Sequence, residues 1–304
     1  MAEYSIRDLE QLTGIKAHTI RIWEKRYNII KPERTKTNIR YYTDQDLKRI
    51  LNISILNKSG MKVSDIAKLD KEQSRDKIVH LSNNPKDRAF QIENLMLSMI
   101  DLDEQKFEKN LSRLILQNGF RKTVMEIIFP FLEKIGVLWQ TGAINSGQEH
   151  FVSNIIRRKF IIAIDSQTVP EIPLNKNFLL FLPEGEFHEL SLLFYSYVLR
   201  RTGYSVTYLG QSVPFQDLLE ITKIKKIDYL FTSMVTSMLK KDFENFINKL
   251  STTFHDKIIF LTGRQLKENM DFNIPVNIKV ITSNQDLKIH LPFNEVPPGE
   301  TNER

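Results

Sequence analysis

Apolar residues at helical spacing open the chain and predict two short helices. Leu9 and Leu12 form the buried side of the first helix, and Ser5 and Asp8 have the spacing of a capping box at its start. Gly14 then permits a tight turn into the next helix. The pattern is that of a helix-turn-helix.

The second helix is predicted over Lys16 to Tyr27, with one apolar and one polar face. Ile20, Trp23 and Tyr27 share the apolar face. Arginine and lysine can address guanine edges and phosphates in a DNA major groove, and hydroxyls assist either contact. The polar face carries side chains of this kind: His18, Thr19, Arg21 and Lys25.

Residues 34–42 are too polar for a core strand pair, but they end in residues that favour β-structure. We interpret them as a hairpin wing beside the second helix. Thr43 and Asp46 repeat the capping-box spacing, so a helix should restart there. Another short helix should begin at Val63.

Helical periodicity continues after residue 88 and predicts a four-helix bundle, whose last helix runs from about Gly147 to Ile164. Pro130 is expected to kink or interrupt the third helix. After Asn177 the pattern changes to short apolar strands that alternate with helices, which predicts a doubly wound parallel, Rossmann-like sheet. The predicted strands are Phe178–Leu182, Val206–Leu209, Tyr229–Thr232, Ile258–Leu261 and Ile278–Ile281.

The fold class is therefore multi-domain α and α/β. The predicted domains are a winged helix-turn-helix over residues 1–75, a linker over 76–88, the four-helix bundle over 89–168, the α/β domain over 177–292 and a loose tail over 293–304.

Composition and charge add to this picture. The 304 residues are 41% hydrophobic, which allows two or three ordinary cores, and the absence of cysteine excludes disulfides, thiolate zinc sites and cysteine nucleophiles. Residues 1–75 contain 16 Lys/Arg and 10 Asp/Glu, whereas the remainder contains 27 of each, so the formal net charge of +6 lies in the predicted helix-turn-helix domain. This excess would add a salt-sensitive attraction to phosphates.

About the first 70 residues resemble the MerR family of transcription regulators. The resemblance is carried by the Tyr4–Arg7 opening, by Arg21–Glu24 in the second helix and by Arg40–Tyr42 in the wing. It implies binding to double-stranded DNA; the alternative is a basic helical module with no role in DNA binding. The expected DNA contacts are Lys16, His18, Thr19, Arg21, Lys25, Arg34, Lys36, Arg40 and Tyr41.

A histidine follows the first predicted strand of the α/β domain. His188 lies where the strand turns into a helix, and a helix N-terminus disfavours the protonated ring, which leaves a nitrogen lone pair for a metal. Glu186 is placed to orient the ring. One glycine, Gly185, does not make a dinucleotide fingerprint, so a nicotinamide enzyme is not expected. The alternative is that His188 begins a surface helix.

A helical bundle followed by such an α/β domain resembles the cobalamin-binding modules of methionine synthase and its relatives. Their Asp/Glu-x-His-x-x-Gly, Ser-x-Leu and Gly-Gly motifs have counterparts in Glu186–Ser191, Ser233–Val235 and Gly263–Arg264. The resemblance implies adenosylcobalamin or methylcobalamin as cofactor and His188 as the lower cobalt ligand. It also implies that Ser233 and Gly263 make room for the nucleotide tail.

Three residues depart from those motifs. Ser191, Val235 and Arg264 put side chains where the family needs backbone close to the tail. Two interpretations stay open: a narrowed or degenerate pocket, or an arginine that pairs with the cobalamin phosphate.

A second resemblance, to the cobalamin-dependent light-sensing MerR repressors, rests on Trp-x9-Glu-His in the bundle. Trp139, Glu149 and His150 keep that spacing, and the resemblance implies that they cover the upper face of the corrin. Each also has a plain interpretation: core packing for Trp139, a capping box with Ser146 for Glu149, and an ordinary helix position for His150.

These observations predict a transcription regulator that acts as a repressor and contains a cobalamin sensor that responds to light. The expected partners are a palindromic DNA operator, further copies of the chain in a dimer or tetramer, and RNA polymerase at the promoter. Because no apolar run approaches the roughly 18 residues of a membrane span, we expect the cytoplasm. The alternatives are a cobalamin-independent sensor and, from the enzyme class, a corrinoid-dependent methyl or mutase carrier; the chain shows neither a substrate barrel nor a nucleophile-base pair, so no enzyme is expected.

Overall fold

The computed structural model describes residues 4–35, 37–70, 72–74, 77–78, 87–140, 144–167, 174–268, 272–282 and 284–291. Lys36, the predicted tail and most of the predicted linker lie outside the described residues; residues 72–74 and 77–78 are helical. The chain divides into two compact units, Met1–Ile155 and Ile156–Arg304. None of the described helices is long and apolar enough to cross a membrane.

The first unit begins with the predicted helix-turn-helix and wing. Ser5 and Asp8 form the capping box of the first helix, and Gly14 ends it with a φ of 72°. Thr43 and Asp46 cap the third helix in the same way. The bounds are α1 Ile6–Thr13, α2 Ala17–Tyr27, β1 Glu33–Arg34, β2 Arg40–Tyr41, α3 Asp44–Lys58 and α4 Val63–Ile66, with β1 and β2 antiparallel.

The helical region, residues 88–165, follows. Its elements are α5 Arg88–Ile100, α6 Glu104–Asn118, α7 Phe120–Thr123, a π-helix over Val124–Ile128, α8 Phe129–Gln140 and α9 Ser146–Asp165. The expectation for Pro130 needs correction in position: the regular α-helical bonding is interrupted over Val124–Ile128, which ends two residues before the proline. The backbone N–H of Phe129 bonds to Val124, five residues back, and the helix continues through Pro130.

The second unit contains the predicted parallel sheet. Its strands are β3 Leu174–Pro183, β4 Tyr204–Val213, β5 Tyr229–Ser233, β6 Ile258–Thr262 and β7 Ile278–Val280, in the order β4-β3-β5-β6-β7. The helices are α10 Leu190–Arg201, α11 Phe215–Ile224, α12 Lys240–Thr253, α13 Arg264–Glu268 and α14 Asn284–His290. The fold class and all five strands are thus confirmed.

The strand order determines where a ligand can bind. The chain leaves β3 for β4 on one side and then crosses to β5 on the other, so β3 and β5 flank the point at which the order reverses. Ligands of doubly wound sheets bind beyond the carboxyl ends of the strands at this point. The segments after Pro183, Ser233 and Thr262 meet there.

Candidate functional site

Arginines of the second helix and of the wing line two neighbouring clefts in the first unit. Arg21 and Arg40 are common to both clefts. The larger, of about 460 Å³, adds Arg34 and Arg7, and the smaller adds Lys25. Four of the predicted DNA contacts are therefore brought together on one cationic surface, which suits a phosphate backbone.

Glu24 ties the wing to the second helix. Its carboxylate lies 3.9 Å from the Arg40 guanidinium and accepts a 3.3 Å hydrogen bond from the hydroxyl of Tyr42. Burial of Tyr42, together with the neighbouring Glu24, raises the pKa of its hydroxyl to about 12, so the hydroxyl remains a donor. Arg34 donates to the side chain of Asn38 within the hairpin at 2.6 Å. These bonds fix the direction of two cationic side chains.

Of the other predicted DNA contacts, the four that the structure describes are on the same domain but do not line the two clefts. Lys16 pairs with Glu10 at 3.1 Å, the His18 ring lies 3.3 Å from the hydroxyl of Thr19, and Tyr41 donates to Glu33 at 2.5 Å. Arg7 was not predicted, because the first helix was interpreted from its apolar side alone. Its signal was a basic residue in the first turn of the helix, two positions after the capping Ser5.

In the second unit, Glu186 organises the loop after β3. Its carboxylate accepts the Nδ1–H of His188 at 2.6 Å and the backbone N–H groups of Phe187 and His188 at 3.0 Å each. Although burial of Glu186 opposes its ionisation, these donors lower the pKa of its carboxyl to about 2. An ionised acceptor at Nδ1 places the lone pair of a neutral imidazole on Nε2, the nitrogen that a metal would use.

The same carboxylate also holds the loop after β5. It accepts the backbone N–H groups of Val235 and Thr236 at 2.7 Å each and the Thr236 hydroxyl at 2.9 Å. On the other side of His188, the buried Glu189 bonds to Arg157 and accepts the Tyr208 hydroxyl at 2.8 Å. Thr236 and Glu189 were not predicted; a hydroxyl residue just after a buried strand was the available signal for Thr236.

The other motif positions cluster at the same edge of the sheet. The Ser191 hydroxyl donates to that of Ser233 at 2.8 Å, and Arg264 donates to the Ser237 hydroxyl at 3.2 Å. A Cβ on Gly263 would lie 2.2 Å from the carbonyl oxygen of Met234, so only glycine fits there. The predicted residues Glu186, His188, Ser233 and Gly263 therefore surround one edge, and the oriented imidazole fits a metal ion such as cobalt.

The remaining predicted cofactor residues lie in the first unit. Trp139 is 57% exposed, so core packing does not account for it. The capping-box interpretation of Glu149 is wrong, because Asn145 and Gln148 cap α9 one residue earlier. Glu149 instead accepts the Ser153 hydroxyl at 2.5 Å and pairs with Nδ1 of His150 at 2.8 Å.

Comparisons with known proteins agree with both halves of this description. Residues 4–73 match the family model for the MerR HTH family regulatory protein, and residues 91–163 match that for the B12 binding domain. The chain is a DNA-binding transcription regulator that combines a MerR-type helix-turn-helix with a cobalamin-binding domain.

Two repressors of Myxococcus xanthus are similar over most of this chain. The HTH-type transcriptional repressor CarH is 28% identical over 82% of this chain and 85% of its own length, and CarA is 24% identical over 88% and 93%. The monomethylamine corrinoid protein of Methanosarcina barkeri covers 65% of this chain and 95% of its own, with a TM-score of 0.52 and 13% identity, which shows a shared fold.

Proposed function

We propose that this chain is a repressor whose cobalamin-binding half controls, in response to light, its assembly on operator DNA. The observation that carries the proposal is the imidazole of His188, held by an ionised Glu186 at the edge where a doubly wound sheet binds its ligand. The names of the two M. xanthus relatives support repression and argue against an enzyme.

Adenosylcobalamin would supply a cobalt–carbon bond that light cleaves. The chain's own part is to hold it: Glu186 fixes the tautomer and direction of the His188 ring, and Ser233 and Gly263 would make room for the nucleotide tail. On the helical region, we propose Trp139, with its exposed indole, and the paired Glu149 and His150 as further cofactor contacts.

A bound cofactor can bias assembly only through different affinities for the assembled and free states. We propose that dark binding favours a dimer or tetramer, in which two reading helices meet a palindromic operator and exclude RNA polymerase from the promoter. Light would reverse this bias.

The visible spectrum tests the proposal. Purified protein is incubated with adenosylcobalamin in the dark, gel-filtered, and measured by absorption and light scattering before and after green light. We expect retained corrin bands that change on illumination, with a decrease in particle mass. His188→Ala should bind at least about 10-fold more weakly, whereas the exposed His255→Ala should behave as the parent. No retained colour would contradict the cobalamin assignment, and light-insensitive bands would contradict the light response.

A further inference from the structure

A buried charged cluster joins the helix-turn-helix domain to the helical region within the first unit. Glu93 of α5 is fully buried, and its Oε1 accepts hydrogen bonds from Lys58 Nζ at 2.6 Å and from the Ser54 hydroxyl at 3.1 Å. Both partners belong to α3. A carboxylate of the helical region thus takes both of these hydrogen bonds from the DNA-binding domain.

The cluster extends to the end of α1. The Ser54 hydroxyl also lies 3.3 Å from the carbonyl oxygen of Thr13, and Lys134 of α8 donates to the carbonyl oxygen of Leu12 at 3.2 Å. These are the last residues before Gly14, where the chain turns into the reading helix. The cluster therefore holds the element that sets the direction of α2.

Burial along α3 shows that the contact is a packed interface. Ile53, Ser54, Ile55 and Leu56 are all at most 1% exposed, although four consecutive residues point to every side of a helix. One side of α3 faces its own domain and another faces α5. A second, more exposed ion pair joins Lys48 of α3 to Asp101, the residue that follows α5.

Energetics distinguish this cluster from a permanent apolar interface. The second carboxylate oxygen of Glu93, Oε2, is buried and has no hydrogen-bond partner among the described residues. An incompletely satisfied buried charge costs free energy, whereas water would satisfy it once the two domains part. Docking is then sensitive to Lys58, since its removal takes away the ion-pair partner at 2.6 Å and leaves the Ser54 hydroxyl and the more distant charge of Lys134.

We propose that Glu93 is a latch: its pairing with Lys58 and Ser54 docks the DNA-binding domain on the helical region and fixes the direction of the reading helix. Rearrangement of the helical region can then reach α1 and α2 through this cluster. The latch does not depend on which ligand the chain binds.

Spin-label distances test the latch in the full chain. The sequence contains no cysteine, so Gln11→Cys on exposed α1 and Leu116→Cys on α6, where Leu116 is 82% exposed, give two clean labelling sites. Distances are measured by double electron–electron resonance at pH 8. The parent should show one narrow distance, and Glu93→Ala and Lys58→Met should each lose it to a broad distribution while circular dichroism retains the helical signal.

Two controls keep the test specific. Glu93→Gln keeps an oxygen that accepts from Ser54 and Lys58, so it should retain the narrow distance, as should Glu133→Ala at an exposed position of α8. Combined with Lys58→Met, Glu93→Gln should restore the narrow distance because no buried charge is left unpaired. Narrow distances in both disruptive variants, a failed restoration, or general loss of helix in Lys58→Met would each overturn the latch.

Discussion

Single side chains on the helix-turn-helix domain differ in what they can contribute to DNA binding. Arg21 is exposed and lines both clefts, whereas Lys16 forms an ion pair with Glu10. A charge that faces two cationic clefts is better placed for phosphate or base-edge contact than one already paired.

Arg21→Ala should therefore weaken binding to promoter DNA by about 10-fold, and loss of one phosphate contact should reduce the salt slope by about 1. Fluorescence anisotropy at several salt concentrations measures both quantities. Lys109→Ala, which removes an exposed charge from α6, is the matched control. Equal affinities of the Arg21 variant and the parent would remove Arg21 from the reading surface.

Gly263 shows how one backbone position shapes the ligand edge. Its φ is 114°, and a Cβ there would lie 2.2 Å from the carbonyl oxygen of Met234. Gly185 also has a positive φ, of 81°, but nothing lies near its Cβ position.

Gly263→Ala should lower the free energy of unfolding of the second unit by more than about 2 kcal/mol, because strain and a backbone clash add. Gly185→Ala carries the strain alone and should cost less. Urea denaturation followed by circular dichroism ranks the two variants. A larger decrease in the free energy of unfolding for Gly185→Ala would show that the loop at Met234 moves readily to relieve the clash.

At the scale of elements, the starts of two helices were predicted from local spacing alone. Ser5 and Thr43 each make the hydrogen bonds that their spacing with Asp8 and Asp46 predicted. Such local signals need no knowledge of the rest of the fold.

Thr43→Ala should lower the free energy of unfolding by about 1 kcal/mol. Thr43→Ser keeps the hydroxyl and should lower it much less. Thermal unfolding compares the two variants. Identical melting temperatures of the Ala and Ser variants would exclude a capping contribution.

Local patterns failed where neighbouring elements decide the outcome. The π-helix before Pro130 depends on how a continuous helix accommodates a missing N–H, and the cap of α9 moved from Ser146 to Asn145. The bond by which Glu186 orients the His188 ring was expected from sequence, since the two residues are only two positions apart. Thr236 was missed because its bond to Glu186 spans 50 residues, a separation that only the parallel strand order brings together.

At the scale of the whole molecule, pH should act on the packing of the DNA-binding domain against the helical region. Burial raises the pKa of Glu93 above its usual value of 4.5, although Lys58 and Lys134 act in the opposite direction. A group whose pKa is raised on folding stabilises the folded state below its unfolded pKa, and that contribution is lost as pH rises through the folded pKa.

The free energy of unfolding of the first unit should therefore carry a falling contribution from Glu93 above pH 4.5. Glu93→Gln removes this contribution, so the variant should be more stable than the parent at pH 7 by about 1 kcal/mol or more, and the difference should shrink towards pH 4.5. Both tryptophans, Trp23 and Trp139, lie in this unit, so urea denaturation followed by tryptophan fluorescence measures it selectively. Glu133→Gln, at an exposed position, should give a stability difference from the parent that does not vary with pH.

A Glu93→Gln difference that also did not vary with pH would mean that the lysines fully compensate the buried carboxylate. The conditional docking argued from its unsatisfied oxygen would then lose its energetic basis.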